Sequence, residues 1–148
     1  MYPEFLRYQL LLQKILIVAA NYYPKISNKL IESAKNVLGK SPGYLEISKT
    51  IIVPGIFEIP VIISRNINVF DGFIALACVI KGKTTHFDLI TQAVTKAIMD
   101  LSIKHKKPIG NGIIASLNMK QAMERAASNK KNKGKEAAEA VISVVDLI

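Results

Sequence analysis

The chain's 148 residues are enough for one domain with a real hydrophobic core, and with half of them apolar and 21% charged, a disordered chain is excluded. The formal net charge of +9 permits a polyanionic partner, but the aromatics lack the interleaving of a single-strand nucleic-acid groove, so an anionic small-molecule site is the better expectation. With Cys78 as its only cysteine, the chain cannot form an internal disulfide and has no second thiol at metal-ligand spacing.

Nor does any window approach the roughly 20 apolar residues of a membrane helix. Met1-Tyr2-Pro3-Glu4-Phe5 does not read as a signal peptide, so a cytoplasmic protein is expected, with no membrane partner.

In chain order, residues 1–13 form an apolar arm with Tyr2, Phe5, Leu6 and Tyr8, suited to pairing with a neighbour's sheet edge. Lys14 to Ala20 is rich in β-branched residues and, after Lys14, wholly apolar, as a strand buried on both faces must be. Asn21-Tyr22-Tyr23-Pro24 turns the chain into a helix, with Ile26, Leu30, Ile31, Ala34 and Leu38 at helical spacing until Gly39. Leu45 to Val53 is a second strand, ending at Pro54-Gly55. A helix follows over Phe57 to Asn68, provided that Pro60 lies in its first turn, and Glu58 falls at its start, where a carboxylate is commonly a plain dipole partner.

Phe73 to Ile80 is the third buried strand, with Cys78 inside it as a core thiol. Lys81-Gly82-Lys83-Thr84-Thr85-His86-Phe87-Asp88 then leads into a helix running to His105. A helix start capped by Thr84 or Thr85 presents backbone N–H groups that attract anions, and Lys83 adds a cation. His86 brings to that cradle the side-chain type that titrates near neutral pH; the plainer reading is a solvated turn that carries a histidine. Ile109 to Leu117 is the fourth strand, whose Gly110 and Gly112 mark a place where another group comes close. Asn118 caps a short helix through Arg125 and Ala126, Ser128 to Lys133 reads as a basic loop, and Lys135 to Ile148 is a terminal helix with Ala138, Val141, Ile142 and Val145 on its apolar face.

Strands alternating with helices give an α/β fold: a parallel four-stranded sheet with helices on both faces, in a three-layer α/β/α sandwich, and 1–148 as one domain. Ligands then bind at the carboxyl ends of the strands, where Asn21-Tyr22-Tyr23, Pro54 to Glu58, Lys81 to His86 and Ala115 to Asn118 gather.

Pro54-Gly55-Ile56-Phe57-Glu58-Ile59-Pro60, Gly82 to Asp88, Gln121 to Ala126 and Asn132-Lys133-Gly134 occur in the order and at the separations of one family. Residues 14–148 closely resemble the 6,7-dimethyl-8-ribityllumazine synthases. The resemblance implies a flavodoxin-like fold and a transferase that condenses 5-amino-6-(D-ribitylamino)uracil with 3,4-dihydroxy-2-butanone 4-phosphate, releasing phosphate and water in the penultimate step of riboflavin biosynthesis. It implies that His86 moves protons, that Lys83, Thr84 and Arg125 hold the butanone phosphate, and that Tyr22, Ile56, Phe57, Glu58, Cys78, Val79, Ile80 and Asn111 bind the ribitylaminouracil. No cofactor is needed for that chemistry.

The resemblance further implies a homo-oligomer, a pentamer or a sixty-subunit shell, with sites between subunits and the amino-terminal arm added to a neighbour's sheet; riboflavin synthase is a possible partner. The chain departs from the family where Asn111 replaces a usual aromatic, Ile56 replaces a usual alanine, and Ala127 to Asn132 replace the loop associated with shells. The first two departures keep open a second reading, a relative that binds flavin or lumazine without turnover. A third reading, nucleic-acid binding through Lys130, Lys131, Lys133 and Lys135, lacks a recognisable reading element.

Overall fold

The computed structural model describes residues 12–40, 45–83, 85–128 and 131–145, so residues 1–11 of the expected arm fall outside the described residues, while Gln13, expected in the arm, opens β1. Strands β1 (Gln13–Ala20), β2 (Leu45–Val53), β3 (Gly72–Ile80) and β4 (Ile109–Ser116) form one sheet in the order β2-β1-β3-β4, every pair parallel. Parallel strands are covered on both faces, and the side chains divide with period two as the pleat requires. Ile15, Ile17 and Ala19 of β1 join Ile74, Leu76 and Cys78 of β3 in one core, while Leu16, Val18 and Ala20 join Phe73, Ala75 and Ala77 in the other.

Helices α1 (Pro24–Gly39), α4 (Met119–Ala126) and α5 (Lys133–Val145) cover the first core. A 3₁₀ turn (Ile56–Glu58), α2 (Ile59–Arg65) and α3 (His86–His105) cover the second. The three-layer α/β/α sandwich is therefore present as expected. Among the described residues no helix is long and apolar enough to cross a membrane.

Several boundaries differ from expectation, each for a local reason. The helix expected over Phe57 to Asn68 is divided: the tight Ile56–Glu58 turn precedes α2, which ends at Arg65, and Pro60 occupies the first turn of α2, where its missing N–H costs nothing. Helix α5 begins at Lys133, two residues before the expected start, because Asn132 is a buried cap. Its Nδ2 donates to the Ala126 carbonyl at 2.9 Å and its Oδ1 accepts from the Lys135 N–H at 2.9 Å, joining α4 to α5. Asn118 caps α4 as expected, its Oδ1 accepting from the Gln121 N–H at 2.9 Å, while Gln121 Oε1 accepts from the Leu117 N–H.

The group that comes close to Gly110 of β4 is α5 itself, whereas Gly112 is crowded first by Leu76 and Ala75 of β3. A Cβ on Gly110 would run into the backbone carbonyl of Ala137.

Helix α3 ends with Lys106 at φ 56°, the Lys107 N–H bonded to the Ser102 carbonyl at 3.2 Å and the Lys106 N–H to that of Ile103 at 3.4 Å. This is a Schellman ending, which favours glycine at the left-handed position. Lys106→Gly is expected to raise stability by about 1 kcal/mol, since it removes the Cβ penalty of that conformation. Thermal melts of the two proteins check this, and a fall in Tm would count against it.

Candidate functional site

The chain leaves β1 towards β2 on one side and leaves β3 towards β4 on the other. Where two neighbouring strands send their crossovers in opposite directions, a crevice opens at their carboxyl ends. A cavity of about 370 Å³ lies there, lined by Tyr22 and Tyr23 after β1, Gly55, Ile56, Phe57 and Glu58 after β2, Cys78, Val79 and Ile80 at the end of β3, and His86 and Ile90 on α3.

The loop after β1 is held at both ends. The Asn21 N–H donates to the Val53 carbonyl at 3.0 Å, and the Tyr23 carbonyl accepts from the Ile26 and Ser27 N–H groups at 3.1 and 3.0 Å. Ser27, buried, donates its hydroxyl to the Ala20 carbonyl. From this pinned backbone the Tyr22 ring stands 73% exposed and meets Tyr23 edge to face, with centroids 5.0 Å apart and planes at 76°. Burial first, then the neighbouring Tyr22 and Cys78, push the Tyr23 phenol above its ordinary value, so it stays protonated at neutral pH.

Phe57 is 67% exposed at the rim, whereas Ile56 is buried and packs in the second core, which takes up most of the bulk expected at the contact position. The Glu58 carboxylate folds back over Gly55, where a Cβ would lie 3.3 Å from Oε2. The β1–β3 ladder stops at Ala19 and Leu76, so Cys78 to Ile80 run past its end, and all three line the cavity. On the other edge β3 stays paired to β4, and the Lys81 N–H continues the ladder to the Ser116 carbonyl at 2.9 Å.

Cys78 is buried, and burial pushes its thiol up to about 11. An unfolded thiol ionises near 9.0 and the folded one does not, so this residue's contribution to stability is whole below 9.0 and is lost as pH rises towards 11. Because the thiolate is the reactive form, iodoacetamide at pH 8 is expected to label native Cys78 at least about tenfold more slowly than the urea-unfolded chain. Equal rates would show that the thiol is open.

His86 opens α3 and lies exposed at the cavity. The preceding Thr85 makes no side-chain capping bond, contrary to expectation; its αR backbone contributes only the carbonyl, which accepts from the Leu89 N–H at 3.2 Å. Thr84, the other expected cap and phosphate contact, lies outside the described residues.

The remaining expected site residues do not line this cavity. Lys83 is exposed on the loop before α3, and Arg125 is exposed on the last turn of α4. Asn111 pairs with Ala75 near the start of β4, and its Oδ1 accepts from the Ile113 N–H at 3.1 Å. Tyr23 and Gly55, expected only as members of the loops at the strand ends, line the cavity too, and so does Ile90, which the sequence reading did not place there. Ile90 follows His86 by four residues, so one helix face carries both, and that spacing was the available signal.

Comparison with known proteins adds an independent line. The family model for 6,7-dimethyl-8-ribityllumazine synthase matches residues 13–148. A 6,7-dimethyl-8-ribityllumazine synthase of Bartonella tribocorum is 42% identical over 136 residues, covering 90% of this chain and 88% of the relative. Proteins of the same name from Sulfurimonas denitrificans and Agrobacterium fabrum are each 36% identical, over 137 and 140 residues, covering 91% and 90% of this chain and 89% and 93% of their own lengths.

Proposed function

The chain belongs to the 6,7-dimethyl-8-ribityllumazine synthase family, and from that premise we propose how its residues perform the family's reaction. The protein is a transferase of riboflavin biosynthesis that condenses 5-amino-6-(D-ribitylamino)uracil with 3,4-dihydroxy-2-butanone 4-phosphate to 6,7-dimethyl-8-ribityllumazine. The observation that supports our assignment of roles is the meeting of Tyr22, Phe57, Glu58, Cys78 to Ile80 and His86 around one cavity at the point where the strand crossovers diverge.

In this reading the pyrimidine lies against Tyr22, with Ile56 and Phe57 completing the apolar wall. The backbone of Cys78, Val79 and Ile80 beyond the end of β1 bonds its polar edge, and Glu58 accepts from ribityl hydroxyls. The phosphate of the second substrate lies towards the start of α3, near Lys83 and Thr84. The uracil's amine attacks the ketone carbon; His86 takes the amine proton and returns one to the departing hydroxyl, so that water leaves and an imine forms. Loss of the proton from the hydroxyl-bearing carbon beside the imine supplies the electron pair that expels the phosphate, and cations that follow the charge onto the leaving group are the work given to Lys83 and Arg125. The enol left behind takes up a proton at its terminal carbon to become a ketone with a new methyl group, and the ribityl nitrogen adds to that ketone and closes the ring with loss of water.

Arg125 and Asn111 stand away from the chain's own cavity. We therefore assign them to a site completed by a neighbouring subunit, in a homo-oligomer whose smallest form is a pentamer. We take 1–148 as one domain, with the residues before β1 as the arm that reaches that neighbour, acting in the cytoplasm. A sixty-subunit shell and riboflavin synthase as a partner belong to the same reading. The non-catalytic flavin-binding alternative is not favoured, since the relatives are named as synthases.

Mixing the two substrates with the purified protein and following lumazine fluorescence tests the reading. Product formation above the uncatalysed background is expected, and its absence at micromolar protein would reject it.

A further inference from the structure

Tyr22 is mostly exposed, and the ring contact it makes in the structure is with Tyr23. An exposed aromatic that must stack on a ligand has to be ordered first, and that ordering subtracts from affinity unless the ring is already held. Tyr23 is placed to hold it. Its carbonyl anchors the first turn of α1, Pro24 fixes the next backbone angle, and its own ring is half-buried against the first core beside Cys78. At 76° and 5.0 Å the pair has the edge-to-face geometry that aromatic quadrupoles favour. Such a pair leaves at least one face of Tyr22 uncovered.

We propose that Tyr23 is a positioning residue for the heterocyclic substrate: its fixed ring sets the plane of Tyr22, so that the open face of Tyr22 is presented to the pyrimidine before the substrate arrives. This rests on the reading of Tyr22 as the stacking residue. The contribution belongs to the ring of Tyr23 and not to its hydroxyl. It acts on binding of the flat substrate and leaves proton transfer at His86 and capture of the phosphate untouched.

An edge-to-face pair is of a strength that makes its loss worth about 3- to 10-fold in binding. Tyr23→Leu is accordingly expected to raise KM for the ribitylaminouracil by about that factor, with kcat and KM for the butanone phosphate within about twofold, and Tyr23→Phe is expected to restore the wild-type KM. In a Tyr22→Ala background, Tyr23→Leu should add no further effect, because the ring it positions is gone.

Three results would overturn the proposal: Tyr23→Phe behaving like Tyr23→Leu, Tyr23→Leu lowering kcat with KM unchanged, or the two substitutions adding independently. If Tyr23→Leu fails to fold, the comparison of Tyr23→Phe with Tyr23→His, a smaller and more polar ring, carries the same KM test. A wild-type protein that forms no product would sink the proposed function but not this inference. Riboflavin affinity, read by flavin fluorescence quenching in wild type, Tyr23→Phe and Tyr23→Leu, then decides it: weaker binding confined to Tyr23→Leu supports the proposal, and equal or undetectable binding in all of them overturns it.

Discussion

Replacing His86 with alanine is expected to slow turnover by about 10²-fold or more, the usual scale for a positioned proton carrier. His86 has the place for that task. It is the first residue of α3, it lines the cavity beside Cys78 to Ile80 and Glu58, and Ile90 one turn on continues the same wall. The imidazole is exposed and contributes little to packing, so the variant's Tm is expected to stay within a few degrees of wild type. The measurement is the initial rate of lumazine formation at saturating substrates after subtraction of the protein-free condensation. A rate within about threefold of wild type would remove His86 from its role, because a positioned acid–base group ordinarily supplies far more than that. His86→Gln, which keeps polarity and reach but cannot carry a proton in the same way, should be nearly as slow.

How much of this was legible beforehand depends on how local the cause is. The strands were readable because a parallel sheet buries both faces, so Ile15 to Ala20 and Phe73 to Cys78 are continuous apolar runs that no surface helix would carry. Their parallel arrangement followed from the alternation with helices, while their order in the sheet is seen only in the structure. Asn118 was readable as a cap because its partner Gln121 lies three residues away. Asn132 was not, because it looks like any polar loop residue until its burial and its bond back to the Ala126 carbonyl are seen. The site divides in the same way. The loop Asn21-Tyr22-Tyr23 at the end of β1 follows from topology, whereas Cys78 to Ile80 inside the apolar run entered only through the family resemblance. Which of the two adjacent tyrosines faces the core does not follow, since it is settled by the turn that Pro24 opens. Nor does periodicity within one chain place Arg125 and Asn111 relative to the cavity, and neither of them lines it with His86.

The second large effect concerns the opposite end of the molecule. Gly110→Ala is expected to destabilise the fold by about 2–3 kcal/mol, the upper part of the range for overpacking. A Cβ at Gly110 would lie 2.8 Å from the Ala137 carbonyl carbon and 3.1 Å from Val141 Cγ2, with the Ala137 oxygen closer still. Side chains can swing away from an added methyl. Here the obstacle is backbone, held on one side by the β3–β4 ladder through Ile74 and on the other by α5, itself anchored on α1 where Gly134 packs against Leu30. Relief requires lifting α5 off the sheet, which uncovers Ala137, Val141 and part of the first core. For a chain of this size such a loss lowers Tm by roughly 10 °C. Gly110 lies about 20 Å from the carboxyl end of β4 at ~3.3 Å per strand residue and turns to α5, on the face opposite Asn111, so turnover assayed well below Tm should be nearly unchanged. The two substitutions thus separate what the strands carry: His86→Ala is expected to lose rate and keep Tm, and Gly110→Ala to lose Tm and keep rate. A Gly110→Ala protein that melted like wild type but bound substrate poorly would show that the strand glycines serve a ligand, as a strand reading alone allows, and that the packing of α5 is not what requires them.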